Sequence, residues 1–150
     1  MVLAACDSGS ETETRAGQVY EPVVRWFAER ATGDPDPLPV FVEAKGAGTV
    51  IDLEVQAAVI KETESVASVR FIDHRDEALE ERDSDGFVVR DGGILIRLPP
   101  VPETGDRVTL DVDVWVDETT MGGSRFDLRS SDDGWHVVGS PIELAEVPTD

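Results

Sequence analysis

Cysteine is almost absent from this 150-residue chain. Cys6 is its one thiol, so an intrachain disulfide and a cysteine-based metal site are both excluded. Histidine is scarce too: His74 and His136 are the only two, too few for a zinc site without carboxylates to complete it. No apolar run approaches the roughly 18 residues that a spanning helix requires. Basic charge is thin, with 13 Lys and Arg against 32 Asp and Glu, for a net charge of −19. A field of that sign repels nucleic acid and anionic lipid, and it favours solubility, cations or a basic partner. The chain shows no G-x-S-x-G nucleophile motif and no glycine-rich phosphate loop. Hydrophobic residues make up 40% of the sequence, which is in the globular range. The length suits one domain with its own core and is short for two.

The first residues read Met1-Val2-Leu3-Ala4-Ala5-Cys6-Asp7-Ser8. Leu3-Ala4-Ala5-Cys6 resembles the lipobox of bacterial lipoproteins, in which small residues precede a cysteine that takes a diacylglyceryl group. The resemblance implies lipid attachment at Cys6, a membrane partner through that anchor, and an extracytoplasmic place in the cell envelope. Asp7 to Gly17 is polar, acidic and small, the composition of a tether. Only five residues precede Cys6, so the basic and apolar parts of a complete signal peptide are expected upstream of Met1. Residues 1–17 are therefore read as signal-peptide remnant, lipobox and tether, and residues 18–150 as one domain.

Within the domain, Gln18 to Thr32 has the spacing of a helix: Val19, Val23, Trp26 and Phe27 share a stripe. Pro22 fits that helix only in its first turn. Pro39 to Glu43 reads as a strand. Thr49-Val50-Ile51-Asp52 fits a capping box that opens a second helix to about Glu62. Val66 to Ile72 is a further strand, and the acidic stretch Asp73 to Asp85 is a loop or short exposed helix. Phe87 to Val89 is expected to pair with Ile94 to Leu98 across Arg90-Asp91-Gly92-Gly93. Leu110, Val112, Val114 and Val116 alternate with Asp111, Asp113, Trp115 and Asp117, a period of two. Phe126 and Leu128 alternate in the same way, as do Trp135 and Val137, joined by the turn Ser131-Asp132-Asp133-Gly134. Gly122-Gly123 is expected to close a hairpin. Parity places Leu128 near Val137, and Val112 or Val114 near Phe126 or Leu128. The opposite face then collects Asp111, Asp113, Arg125 and Arg129.

The expected fold class is α+β, a twisted antiparallel sheet packed on one or two helices. The order of elements, ending in Phe126-Asp127-Leu128-Arg129 and Asp133-Gly134-Trp135-His136-Val137, resembles small secreted domains of the cystatin-like group, including the nuclear transport factor 2-like fold. That fold carries isomerases, binding proteins and inert scaffolds, so the resemblance transfers no function.

Several constellations of residues bear on chemistry. Glu81 to Gly92 partly follows a calcium loop, with acids at its first, third and fifth positions and Gly86 at the sixth. Its twelfth position is Gly92 where a bidentate Glu is needed, so the stretch reads as a solvated acidic loop. Asp73, His74 and Asp76 could form an acid/base group only inside a pocket. Trp26 and Trp135 lie on apolar stripes and read as core. Trp115 differs: it shares a face with acids, so either it lies under a loop or stacks on Arg125 or Arg129, or it is a candidate contact residue with Asp113 and Arg129. The sequence thus points to an envelope lipoprotein acting as a non-catalytic binding or interaction module for a protein or small-molecule ligand, with no cofactor, no metal and no nucleic acid. The alternative is a small isomerase-like pocket enzyme on the same fold, with His74 or an Asp as base between the first helix and the sheet.

Overall fold

The structure is a computed structural model, and it describes residues 14–30, 37–46, 48–81, 86–117 and 120–144. Helix α1 spans Arg15–Arg30. Thr14 caps it, its Oγ1 accepting the Gly17 N–H at 3.1 Å. The helix thus starts three residues ahead of Gln18, inside the stretch assigned to the tether. Pro22 consequently falls in the helix interior, not the first turn. It removes the N–H that would bond to Gln18, a cost that burial of Val19, Tyr20, Val23 and Val24 along the same helix offsets.

Strand β1 (Leu38–Ala44) follows, then helix α2 (Leu53–Thr63) with Asp52 at its N-cap. The expected capping box does not form. The Thr49 N–H instead closes a turn on the Gly46 carbonyl at 3.1 Å, and the Asp52 side chain makes no cap bond. Strand β2 (Ala67–Phe71) leads through a short 3-10 turn, Arg75–Glu77, to β3 (Leu79–Glu81). The remaining strands are β4 (Phe87–Val89), β5 (Ile94–Leu98), β6 (Arg107–Asp117), β7 (Thr120–Ser131), β8 (Gly134–Val137) and β9 (Ile142–Leu144).

The described residues form an α+β domain with two helices and a nine-stranded sheet curled into a half-barrel. The sheet is mixed, which corrects the antiparallel expectation. β1 pairs in parallel with β2, joined to it by the α2 crossover, and in parallel with β5. From β5 onward the neighbours are antiparallel: β5 to β6, β6 to β7, and β7 to both β8 and β9.

The expected β4–β5 hairpin is also corrected. Asp91 (φ 60°) and Gly92 (φ 73°) turn the chain away, so β4 pairs with β3 and meets β6 at Val88 and Asp117. Strand β5 is left free to lie between β1 and β6. Gly93 makes this possible: a Cβ there would stand 2.2 Å from the Pro39 carbonyl oxygen.

In the β6–β7 ladder Leu110 faces Phe126 and Val108 faces Leu128, while Leu128 meets Val137 as parity required. Val112 and Val114 face Ser124 and Gly122 instead of the larger apolar pair. Gly122 and Gly123 lie within β7 and close no turn.

Apolar residues cover both faces of β1, as a central strand demands. Val40 and Val42 join the main core beneath the helices, with Val19, Val23, Val59, Leu110 and Phe126. Trp26 and Phe27 meet Phe126 edge-on at 5.4 and 5.5 Å between ring centres. Trp135 is buried as expected, but Trp26 is only half-buried, at the rim, where Arg30 lies 4.1 Å from its ring. On the opposite sheet face Phe41, Ile72, Ala78, Val89, Leu95 and Trp115 form a second, smaller core.

Candidate functional site

The outer face of β1, β5 and β6 is built in two rows. Register places Phe41, Leu95 and Trp115 side by side, and one step along it places Glu43, Arg97 and Asp113 side by side. The first row is apolar and the second alternates in charge. Cross-strand neighbours of opposite sign attract at this spacing, so the second row pins the register that the first row fills.

Asp113 is 1% exposed. A carboxylate that deep persists only when it is paired. Lys45, at the end of β1, approaches its Oδ1 at 3.1 Å and also donates to the Asp111 carbonyl at 3.0 Å. Arg97 reaches its Oδ2 at 3.4 Å. The Arg97 Nε also stands 3.2 Å from Glu43 Oε1, but the N–H is not directed at the oxygen, so this contact is ionic without a hydrogen bond. Arg75 approaches the same oxygen at 3.8 Å, and its guanidinium carbon lies 4.1 Å from the Trp115 ring centre. Three cations thus surround two anions in a chain whose overall sign is strongly negative.

Beside this network a cleft of about 770 Å³ opens at the carboxyl ends of β1 and β2. Glu43, Lys45 and Arg97 form its polar wall, with Asp73 and Gln56, and Val50, Leu53 and Phe71 are its apolar part. Ligands of sheets with parallel strands gather at such carboxyl ends, where the loops that carry specificity begin. A second open groove, of about 920 Å³, runs between α1, α2 and the β7–β8 turn, past Trp26, Trp135 and His136.

The contact patch expected from parity does not exist as an open surface. Trp115 is 5% exposed, under Arg75 and 5.7 Å from the Phe87 ring. Its Nε1 is buried without a partner. Asp113 is committed to Lys45 and Arg97. Arg129 is exposed on the same face, but it lies opposite Arg107, whereas Asp113 lies opposite Gly123. Six strand residues separate the two positions, roughly 20 Å at strand rise. The three residues therefore do not form one site. The opposite face did collect its expected partners at one point: Arg125 Nε meets Asp111 Oδ1 at 2.8 Å across the ladder. That bond holds the Asp111 carboxyl below its usual range and raises Arg125.

His74 and His136 are both exposed, the latter with Nε2 2.9 Å from the Ser131 hydroxyl. Glu77 is held low by the backbone N–H of His74, then that of Asp73. Val19, Val23, Trp26, Phe27 and Phe126 pack the space directly beneath α1, while the groove between α1, α2 and the β7–β8 turn remains open. Cys6 and residues 82–85 of the acidic loop lie outside the described residues. Among the described residues no group of His, Cys, Asp or Glu is placed to hold a metal, and no helix is long and apolar enough to cross a membrane.

Glu43, Lys45, Arg75 and Arg97 were missed from the sequence. Arg97 carried a usable signal, as a lone charge inside the apolar run Ile94-Leu95-Ile96-Arg97-Leu98; such a residue in a strand needs a counter-ion nearby. Comparison with known proteins gave no match to the chain among family models, curated proteins or solved structures.

Proposed function

We propose that this chain is a cell-envelope lipoprotein, anchored through Cys6, whose domain is a non-catalytic binding module. The cleft at the ends of β1 and β2 is its ligand site. The observation that carries the reading is the joining of an open cleft to a paired, largely buried charge network. Lys45 and Arg97 are each fixed by Asp113, so the polar wall is set before a ligand arrives, and preorganisation of that kind lowers the ordering cost of binding. The apolar wall and the few convergent polar groups suit a small organic molecule with a polar head. The likeness to the cystatin-like group belongs to the same proposal. It is supported by α1 laid on a curled sheet and by Trp135 after the Gly134 turn, while the parallel ladders of β1 depart from it.

The site is tested by ligand-observed NMR with a library of small organic acids, amines and zwitterions. Hits should lose binding in Thr49→Trp, which fills the cleft, with the melting temperature unchanged. If every hit binds that variant as tightly as the wild type, the cleft is not the site. The anchor is tested by feeding cells an alkyne fatty acid. Label on the wild type and none on Cys6→Ser supports it, and an unlabelled wild type removes it.

A further inference from the structure

Helices α1 and α2 pack on one another, and their contacts advance along both in the same order. Gly17, in the first turn of α1, lies against α2: a Cβ there would stand 3.3 Å from Ala58 Cβ and 3.9 Å from the Val55 carbonyl oxygen. Further along, Arg25 donates to the Glu62 carbonyl. Both helices therefore begin at the same end of the domain. Thr14, which caps α1, is bonded to Gly17 and so lies near the first half of α2.

That end carries the two most exposed large apolar side chains among the described residues, Val50 and Leu53, each 79% exposed. They are three residues apart, on the turn into α2, at the rim of the cleft described above, and most of each side chain remains open to solvent beyond that rim. Single exposed aliphatic residues are ordinary, whereas a protruding pair beside the point where the chain leaves the domain calls for a partner.

Chain length supplies the partner. Eight peptide links join Cys6 to Thr14, a covalent reach of at most about 28 Å. A lipid on Cys6 then holds Thr14 within that distance of the bilayer, and Val50 and Leu53 within that distance plus their separation from Thr14. Tethering at this range gives a local concentration on the order of millimolar, so a contact too weak to form from solution forms once the chain is anchored. We propose that Val50 and Leu53 are the membrane-facing tip of the domain, entering the interfacial layer of an uncharged bilayer; this rests on the Cys6 anchor. The net charge of −19 selects the lipid, because anionic headgroups repel the domain. Exposed Asp52 and Glu54 flank Leu53 and keep entry shallow.

The test uses the full chain with a maleimide lipid coupled to Cys6, its one cysteine, in phosphatidylcholine vesicles. Leu53→Trp adds a reporter at the tip. Brominated phosphatidylcholine should quench the emission added over wild type several-fold more in the coupled chain than in uncoupled chain mixed with the same vesicles. Val50→Asp in the same background should return quenching to the uncoupled level, with flotation and melting temperature unchanged. A coupled chain that floats with the vesicles but shows no added quenching overturns the tip while leaving the anchor untouched. Leu53→Trp emission that shifts in solution, with sedimentation as a dimer, assigns the pair to self-association and also overturns it. Mass spectrometry of chain from cells tests the anchor separately. An unlipidated Cys6 there ends both readings.

Discussion

The Arg75 guanidinium carbon lies 4.1 Å from the centre of the Trp115 ring, and it covers an indole that the sheet alone would leave open to water. Trp115→Ala should therefore cost about 3–5 kcal/mol, the range for an aromatic removed from a core. Trp115→Phe should cost less than about 1.5 kcal/mol, because the buried Nε1 has no bond to lose. Urea unfolding of the two variants checks this. An unchanged midpoint for Trp115→Ala would restore Trp115 as a surface residue.

Asp113 and Asp111 share a strand face and differ in depth. Asp113→Ala leaves Lys45 and Arg97 without their buried counter-ion, and a loss of about 3–5 kcal/mol is expected. Asp111→Ala removes a pair whose side chains are both more than a third exposed, and should cost less than about 1 kcal/mol. Equal losses in thermal unfolding would show that depth does not govern this face.

Acid should act through Asp111. Its folded pKa is depressed, first by the Arg125 hydrogen bond, so its contribution is present above the unfolded carboxylate value. That contribution is lost as pH falls below about 4 toward the folded value. Glu77, held low by the His74 and Asp73 amides, contributes with the same sign. Melting temperature measured from pH 6 down to about pH 2 should fall less steeply in Asp111→Asn than in wild type. Parallel curves would remove the pair from the account.

Tyr20 sets the alkaline limit. Its hydroxyl donates to the Pro99 carbonyl at 2.6 Å, and burial pushes its pKa up to about 12. The unfolded chain ionises at about 10, so this contribution is whole below that pH and is lost as pH rises toward 12. Tyr20 is the one tyrosine in the chain, which makes ultraviolet difference absorbance a direct titration of it. A midpoint at the free-tyrosine value in folded protein would contradict the burial. Tyr20→Phe should flatten the loss of melting temperature above about pH 10.

Local pattern made α1 and the β6–β7–β8 run legible, because period-of-two and helical spacing are properties of contiguous residues. Parity correctly put Asp111 and Arg125 on one face and Leu128 beside Val137. Parity names a face but not what covers it. Parity left Trp115 between a contact surface and a covered position, and the cover comes from Arg75, Ile72 and Phe87, on segments that no local rule brings to β6. Arg129 shared the right face and lay too far along it. The partners of Asp113 come from β1 and β5, so its depth depended on strand order. The order was hidden because the turn at Arg90–Gly92 looked like a hairpin, and Asp91 and Gly92 use their positive φ to leave one.

The double parallel ladder of β1 also has a consequence during synthesis. Val40 pairs with Ile94 and Leu38 with Ala67, so β1 emerges from the ribosome long before either neighbour exists. Until Leu98 has been made, Val40-Phe41-Val42 is an apolar strand with an open edge. Open strands of that kind recruit other chains. Pairings this distant also pay loop closure before any contact rewards it. A holding chaperone that binds extended apolar segments would find its target here until β5 closes the second edge.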